Sequence, residues 1–242
     1  MKKQIRHEKI AIYHAAALFN GRELLFNSVL TEGLEKRGYK VNLPQRDGFE
    51  FGMLNKYLSK KLPKNEMDSA LSTIIYLLDV GHFIPKSDVV LANLDEPLDE
   101  GVVVEISYAR ILSKFVIGMR TDVRSPFGNL SDPLKGMHFF PAYQCNKFIS
   151  HDLPCRTPDE LEAQINSLIN KIDNTIKIAN IFPQAPLSNL VLSNPKVSIV
   201  LNNAKLLFSG ISDRHSDKGL EEIAARYVKY KDKFKPIVPI II

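Results

Sequence analysis

Glu105 stands in the apolar run Val102-Val103-Val104-Glu105-Ile106, six residues after Asp99 and ten after Asp95. A lone charge is costly to bury, so a carboxylate in such company must be paired, turned to a cavity or chemically used. Asp79 closes the preceding apolar run Ile74–Leu78, and Asp88 opens the next one. Asp99 and Glu105 straddle what reads as a helix start, and a loop residue there can fold back over the first turns. Both side chains then face one pocket. A nucleophilic carboxylate with a second acid beside it is the equipment for cleaving a glycosidic bond with retention. Metal chemistry has no comparable support. The six histidines show no ligand spacing, and Cys145 and Cys155, ten positions apart, match neither a zinc signature nor a disulfide framework. The sequence therefore implies no metal and no cofactor.

The elements that must position these carboxylates alternate along the first 150 residues. Lys9–Leu18 reads as a buried strand and Gly21–Arg37 as a helix, with Gly38 as its stop. Tyr39–Leu43 is a strand ended by Pro44, and residues 45–64 read as loop or short helical turns. Asn65–Leu78 has helical spacing, Asp88–Leu94 is a strand, Val102–Leu112 a helix and Phe115–Met119 a strand. Phe139–Tyr143 and Lys147–Ile149 are weaker strand candidates. Strands separated by helices imply βαβ units and a mainly parallel sheet. The expected fold class is therefore α/β, a flavodoxin-like (Rossmann-like) sheet flanked by helices. In such sheets ligands bind at the carboxyl ends of the strands, here the loops after Leu18, Leu43, Leu94 and Met119.

Thr157–Ala179 is a helix whose start, Thr157 with Glu160, has the form of a capping box. Beyond Asn180 the chain changes character, with Pro183, Pro186 and Pro195, a strand candidate at Val197–Leu201, a helix at Gly219–Lys231 and an apolar tail. We expect a domain over 1–179 and a C-terminal appendage over 180–242.

Composition sets outer limits. At 242 residues, 45% hydrophobic and 24% charged, the chain is ordinary for a globular protein. Its formal net charge of +5 is scattered rather than gathered into a basic stripe with stacking aromatics, which argues against nucleic acid. The balance still favours anionic small molecules. No segment is long and apolar enough to span a bilayer, and the first residues lack the apolar core of a signal peptide, so cytoplasmic residence is expected.

The segment DEGVVVEISYA, Asp99 to Ala109, resembles the D-x-G-x-x-x-E-x-G-[YF]-A signature of nucleoside 2-deoxyribosyltransferases. Asp79 precedes Asp99 by twenty residues, the separation between that family's base-contacting aspartate and its signature aspartate. IAIYHAAALFN is similar to the family's opening strand and puts Tyr13 at its tyrosine; LPQRD puts Gln45 after the second strand. FVIGMRTDVRS and FGNL follow in order, and Asn129 matches the asparagine that the family donates to an adjacent subunit's pocket. The resemblance covers roughly residues 10 to 150.

What the resemblance implies is a base exchange between 2′-deoxynucleosides through a covalent deoxyribosyl-glutamate at Glu105. Asp79 would serve the base's ring proton, and Asp99 would hold sugar hydroxyls and keep Glu105 oriented. Tyr13 would donate to Glu105, Gln45 would contact the base, and Asn129 would close a neighbour's sugar site. The implied partners are a nucleoside, a free nucleobase and further copies of the chain. An N-glycoside hydrolase of nucleosides or 5′-monophosphates is the alternative, and a non-catalytic nucleotide-binding module the second. Each residue also has a plainer reading: Asp99 suits a helix cap, Asp79 a loop terminator, Tyr13 a core aromatic, and Asn129 a Gly-Asn turn. Two departures stand out. His14-Ala15-Ala16-Ala17 replaces the family's glycine and proline, and Ser107 replaces the glycine two residues after Glu105.

Overall fold

The computed structural model describes residues 9–183 and 185–237. In chain order the first elements are β1 (Ala11–Ala15), α1 (Gly21–Lys36), β2 (Lys40–Asn42), α2 (Pro44–Asp47), α3 (Asn55–Leu58) and α4 (Lys64–Leu78). A π-helical turn (Asp79–Phe83) carries α4 into the short α5 (Ile84–Lys86). Then come β3 (Val89–Asn93), α6 (Glu100–Ile111), β4 (Phe115–Arg120), α7 (Phe139–Ala142) and β5 (Lys147–Ser150). The last elements are α8 (Pro158–Ile178), α9 (Asn189–Leu192), α10 (Pro195–Phe208) and α11 (Asp217–Phe234). Residues 1–8, residue 184 and the end of the apolar tail, residues 238–242, lie outside the described residues.

The chain divides into two compact units, each discontinuous in sequence. The first takes the chain up to Leu43 and Lys86–Pro186; the second takes Pro44–Pro85 and the chain from Leu187 onward. The single boundary expected at 179/180 therefore meets a different division, in which residues 44–85 join the C-terminal helices.

The first unit holds the sheet. Its five strands are all parallel, in the order β2-β1-β3-β4-β5. This is the flavodoxin-like order, with the switch point between β1 and β3. The three central strands, β1, β3 and β4, are buried along nearly their whole length, which fits a sheet covered on both faces. On one face Ile12, Leu91, Ile117 and Met119 pack against Leu30 and Leu34 of α1 and Ile165, Ile169 and Ile172 of α8. The approach of α1 to α8 depends on Gly33, where an added Cβ would lie 2.2 Å from Ile169 Cδ1. On the other face α6 buries Val102, Ile106 and Ala109, a spacing of one helical stripe. Thr157 Oγ1 caps α8 by accepting from the Glu160 amide, while the Glu160 carboxylate accepts from the Arg156 amide.

Two strand expectations are corrected. Phe139–Tyr143 contains α7 instead: Pro141 cannot donate to a ladder, and the His138 ring nitrogen accepts from the Phe140 amide. Val197–Leu201 belongs to α10. Asn194 caps that helix through the amides of Lys196 and Val197, Pro195 occupies its first turn, and Val197, Leu201, Ala204 and Phe208 form a buried helical stripe. A short apolar run has no period of its own, and the cap decides between the alternatives.

The second unit packs α10 and α11 with α3, α4 and the π-helical turn. Tyr57 donates to Asp217, Lys61 pairs with Glu221 at 2.7 Å, and Lys231 with Glu66 at 3.3 Å. Phe49, Leu54, Ile74, Leu77, Leu207, Phe208 and Ile223 are fully or almost fully buried in it. No described helix is long and apolar enough to cross a membrane.

Candidate active site

Tyr13 and Glu105 meet. Along β1, Ile12 points to the α1/α8 face, so its neighbour Tyr13 points to the face covered by α6. There the Tyr13 hydroxyl donates to Glu105 Oε1 at 2.5 Å, across 92 residues of sequence. The tyrosine is completely buried and the glutamate half-buried. The apolar neighbours of Glu105 in sequence are not all its neighbours in space. Helical spacing turns Val102 and Ile106 inward but leaves Val104 51% exposed. Glu105 sits on the shoulder of the buried stripe, one position before Ile106, where a carboxylate can meet Tyr13 and still be reached.

Asp99 stands at the start of the same helix. Its Oδ1 accepts from the Val102 amide at 2.8 Å and caps α6. The plainer reading of Asp99 is therefore realised, and it leaves Oδ2 without a hydrogen bond among the described residues. Six residues of helix place Glu105 about 9 Å further along the axis. Asp99 lines a cavity of about 460 Å³ at the carboxyl ends of β1, β3 and β4, together with Ala17, Asn20, Phe26, Asp95 and Arg124.

The walls of that cavity are held by ion and amide contacts that run from part-buried to exposed. Asp95 accepts from the Thr121 amide and hydroxyl, both at 2.6 Å, and from the Asp122 amide at 3.0 Å. Asp122 accepts from Arg120 Nε at 2.8 Å, from the Glu96 amide at 2.8 Å and from Arg124 at 3.3 Å. Arg124 also donates to the Glu96 carbonyl, and Arg120 to the Arg124 carbonyl. The loops after β3 and β4 are thereby tied to each other. Arg120, with its side chain wholly buried, was missed by sequence reasoning, although a charged residue directly after FVIGM was the available signal.

His14, adjacent to Tyr13, belongs to the opposite face. Its Nδ1 lies 2.9 Å from Thr31 Oγ1 of α1, and burial lowers its pKa to about 4. It is a neutral core residue near neutral pH. Burial also pushes the Cys145 thiol up to about 11, which suppresses the thiolate. Asn129 lies in an exposed loop, where its amide donates to Asp132 Oδ2 at 3.1 Å.

Gln45 and Asp79 belong to the second unit. Gln45 is the second residue of α2 and half-buried. Asp79 is buried and opens the π-helical turn, its amide still donating back to Ile75 and Tyr76. It is not a loop terminator: the helix continues through it in a wider turn, a feature frequent at functional sites. Near Gln45, Glu50 is a carboxyl that sequence reasoning passed over. Burial, opposed by hydrogen bonds from the Glu50 and Phe49 amides and aided by Asp47, raises its pKa to about 7. Among the described residues no cluster of three or more histidine, cysteine or carboxylate side chains is arranged to hold a metal ion.

Residues 12–152 match the family model described as nucleoside 2-deoxyribosyltransferase, a span that covers more than half of the chain and contains all six candidate residues. Among solved structures, the 2-deoxyribosyltransferase of Bacillus psychrosaccharolyticus is 17% identical, covering 72% of this chain and 99% of its own, with a TM-score of 0.45. The CMP N-glycosidase of Clostridium botulinum is 16% identical, covering 68% of this chain and 98% of its own, with a TM-score of 0.38. Curated proteins give no match.

Proposed function

Because the chain belongs to the nucleoside 2-deoxyribosyltransferase family, we propose that it exchanges nucleobases between 2′-deoxyribonucleosides through a deoxyribosyl ester of Glu105. The observation that carries this reading is the 2.5 Å hydrogen bond from Tyr13 to Glu105 on a helix capped by Asp99. The Tyr13 hydroxyl holds the Glu105 carboxylate through Oε1. It also fixes the rotamer of a nucleophile that sits beside, rather than inside, the apolar stripe of α6.

The cycle balances with protein groups alone. One Glu105 oxygen bonds to the anomeric carbon as the bond from that carbon to the base nitrogen breaks, and its electron pair leaves with the base. Asp79 donates a proton to the departing nitrogen and becomes a carboxylate. An acceptor base then attacks the anomeric carbon, the ester bond breaks, Glu105 recovers its charge and Asp79 takes the acceptor's proton. Two inversions give net retention. Asp99 serves a sugar hydroxyl through the oxygen not used in capping, Gln45 contacts the base through its amide, and Asn129 closes the sugar site of another copy.

The test is an exchange assay in which a deoxynucleoside is incubated with and without a free acceptor base. New nucleoside that appears only with acceptor, and that is lost in Glu105→Ala, supports transfer. Free deoxyribose formed at the same rate whether or not acceptor is present would instead make the protein a hydrolase. Ligand-induced stabilisation without turnover would make it a binding module.

A further inference from the structure

The C-terminal helices lie beyond the family match, yet they share one compact unit with Gln45 and Asp79. Helix α10 comes very close to the π-helical turn. A Cβ added at Gly81 would lie 2.6 Å from the Ala204 Cβ and 3.1 Å from the Val200 carbonyl oxygen, so glycine is what admits the contact. The loop between α10 and α11 grips the same unit at two further points. Arg214 Nη1 lies 3.0 Å from His82 Nε2, and its guanidinium stacks 5.4 Å from the centre of the Phe83 ring. A guanidinium can only donate, so His82 Nε2 accepts and its ring proton sits on Nδ1. His215 Nε2 lies 3.2 Å from the Gly48 carbonyl oxygen, and the imidazole meets Phe49 edge to face at 5.5 Å. The loop is itself stiff: Asp213 Oδ1 accepts from the amides of His215 and Ser216, and Ser216 caps α11.

The register of these two grips is informative. His82 follows Asp79 by three residues in the π-helical turn, and Gly48 follows Gln45 by three residues at the end of α2. One short loop therefore holds both elements that carry the base-facing candidates. We propose that Arg214 and His215 are positioning residues that set the attitude of Asp79 and Gln45 toward the nucleobase. The C-terminal extension then governs proton delivery to the base and the choice of base, while the sugar chemistry stays with Tyr13, Asp99 and Glu105. This rests on the reading of Asp79 as the proton donor.

Leaving-group dependence tests it. Turnover of a deoxynucleoside needs a proton at the base, whereas 4-nitrophenyl 2-deoxyriboside departs as a stable anion. Arg214→Ala and His215→Ala are each expected to lower kcat for the nucleoside by about 10²-fold more than for the nitrophenyl substrate, as misplacement of an acid does. Arg214→Lys, which keeps a donor for His82, should restore part of the difference. Equal losses on both substrates in Arg214→Ala, His215→Ala and Arg214→Lys would overturn the proposal, since destabilisation alone removes active enzyme without regard to leaving group. Urea midpoints identify any variant that fails to fold, and the more conservative Arg214→Lys and His215→Gln then decide. Asp79→Asn separates the two readings. If it too shows equal losses, Asp79 is not the donor; if it is selective while the loop variants are not, positioning by the loop is wrong.

Discussion

Glu105 and Tyr13 act as a pair because a β-strand alternates its faces and a helix repeats every three to four residues. Neither period alone says that residue 13 meets residue 105. The apolar run around Glu105 singled the residue out, but for a reason only half realised: Val104 faces outward, and the partner is a phenol hydroxyl. Tyr13→Phe removes one hydrogen bond to a charged group, worth about 1.5–3 kcal/mol. It should slow formation of the ester by about 10-fold to 100-fold, as single-turnover kinetics would read. His14 carries a different consequence. Its imidazole stays neutral in the folded chain down to about pH 4 because it is buried, whereas in the unfolded chain it takes up a proton below its ordinary value of 6.5. Stability from this site is full above pH 6.5 and is lost as pH falls toward 4. Between pH 7 and pH 5 the loss is about 2 kcal/mol. Urea unfolding at both values should show it, and His14→Gln should flatten the slope.

Element by element, the sheet and its main helices were legible in the sequence because each carries its own period and its own stop. Gly38 ends α1, Pro44 ends the second strand, and the cap at Thr157 opens α8. What misled was local apolar character without a period. FFPAY and VSIVL look like strands until the caps at His138 and Asn194 are counted. The π-helical character at Asp79 was not legible either: no local period marks it, and its neighbour α10, packed on Gly81, lies more than a hundred residues away in sequence. Asp99 joins an element's need to the site's need, and the two can be separated. Asp99→Ser keeps a cap acceptor, so it should leave the unfolding midpoint nearly unchanged while lowering kcat/KM for the nucleoside. Asp99→Ala loses both, with about 1 kcal/mol of stability gone. Urea melts beside steady-state kinetics on both variants check this, and a full recovery of activity in Asp99→Ser would assign Asp99 to capping alone.

Across the whole molecule, the chain builds two units that exchange segments: residues 44–85 leave the sheet domain and fold with the C-terminal helices. Composition and periodicity cannot reveal that arrangement, because it depends on contacts such as Tyr57 with Asp217 and Lys231 with Glu66, each spanning at least 160 residues. The sequence order of the six candidate residues was legible, and so was the meeting of Tyr13 with Glu105 through the family signature. The role of residues beyond 180 was not, since the signature stops before them. Base exchange at this site requires a sugar ester at Glu105. Incubation with a 2′-deoxy-2′-fluoro nucleoside, whose fluorine slows breakdown of the ester, followed by mass spectrometry of the intact protein and its peptides, measures it directly. The expected result is one added fluorodeoxyribosyl group per chain, mapped to Glu105 and released when an acceptor base is added. A wild-type protein that turns over deoxynucleosides yet carries no label, or carries it on another residue, would contradict it.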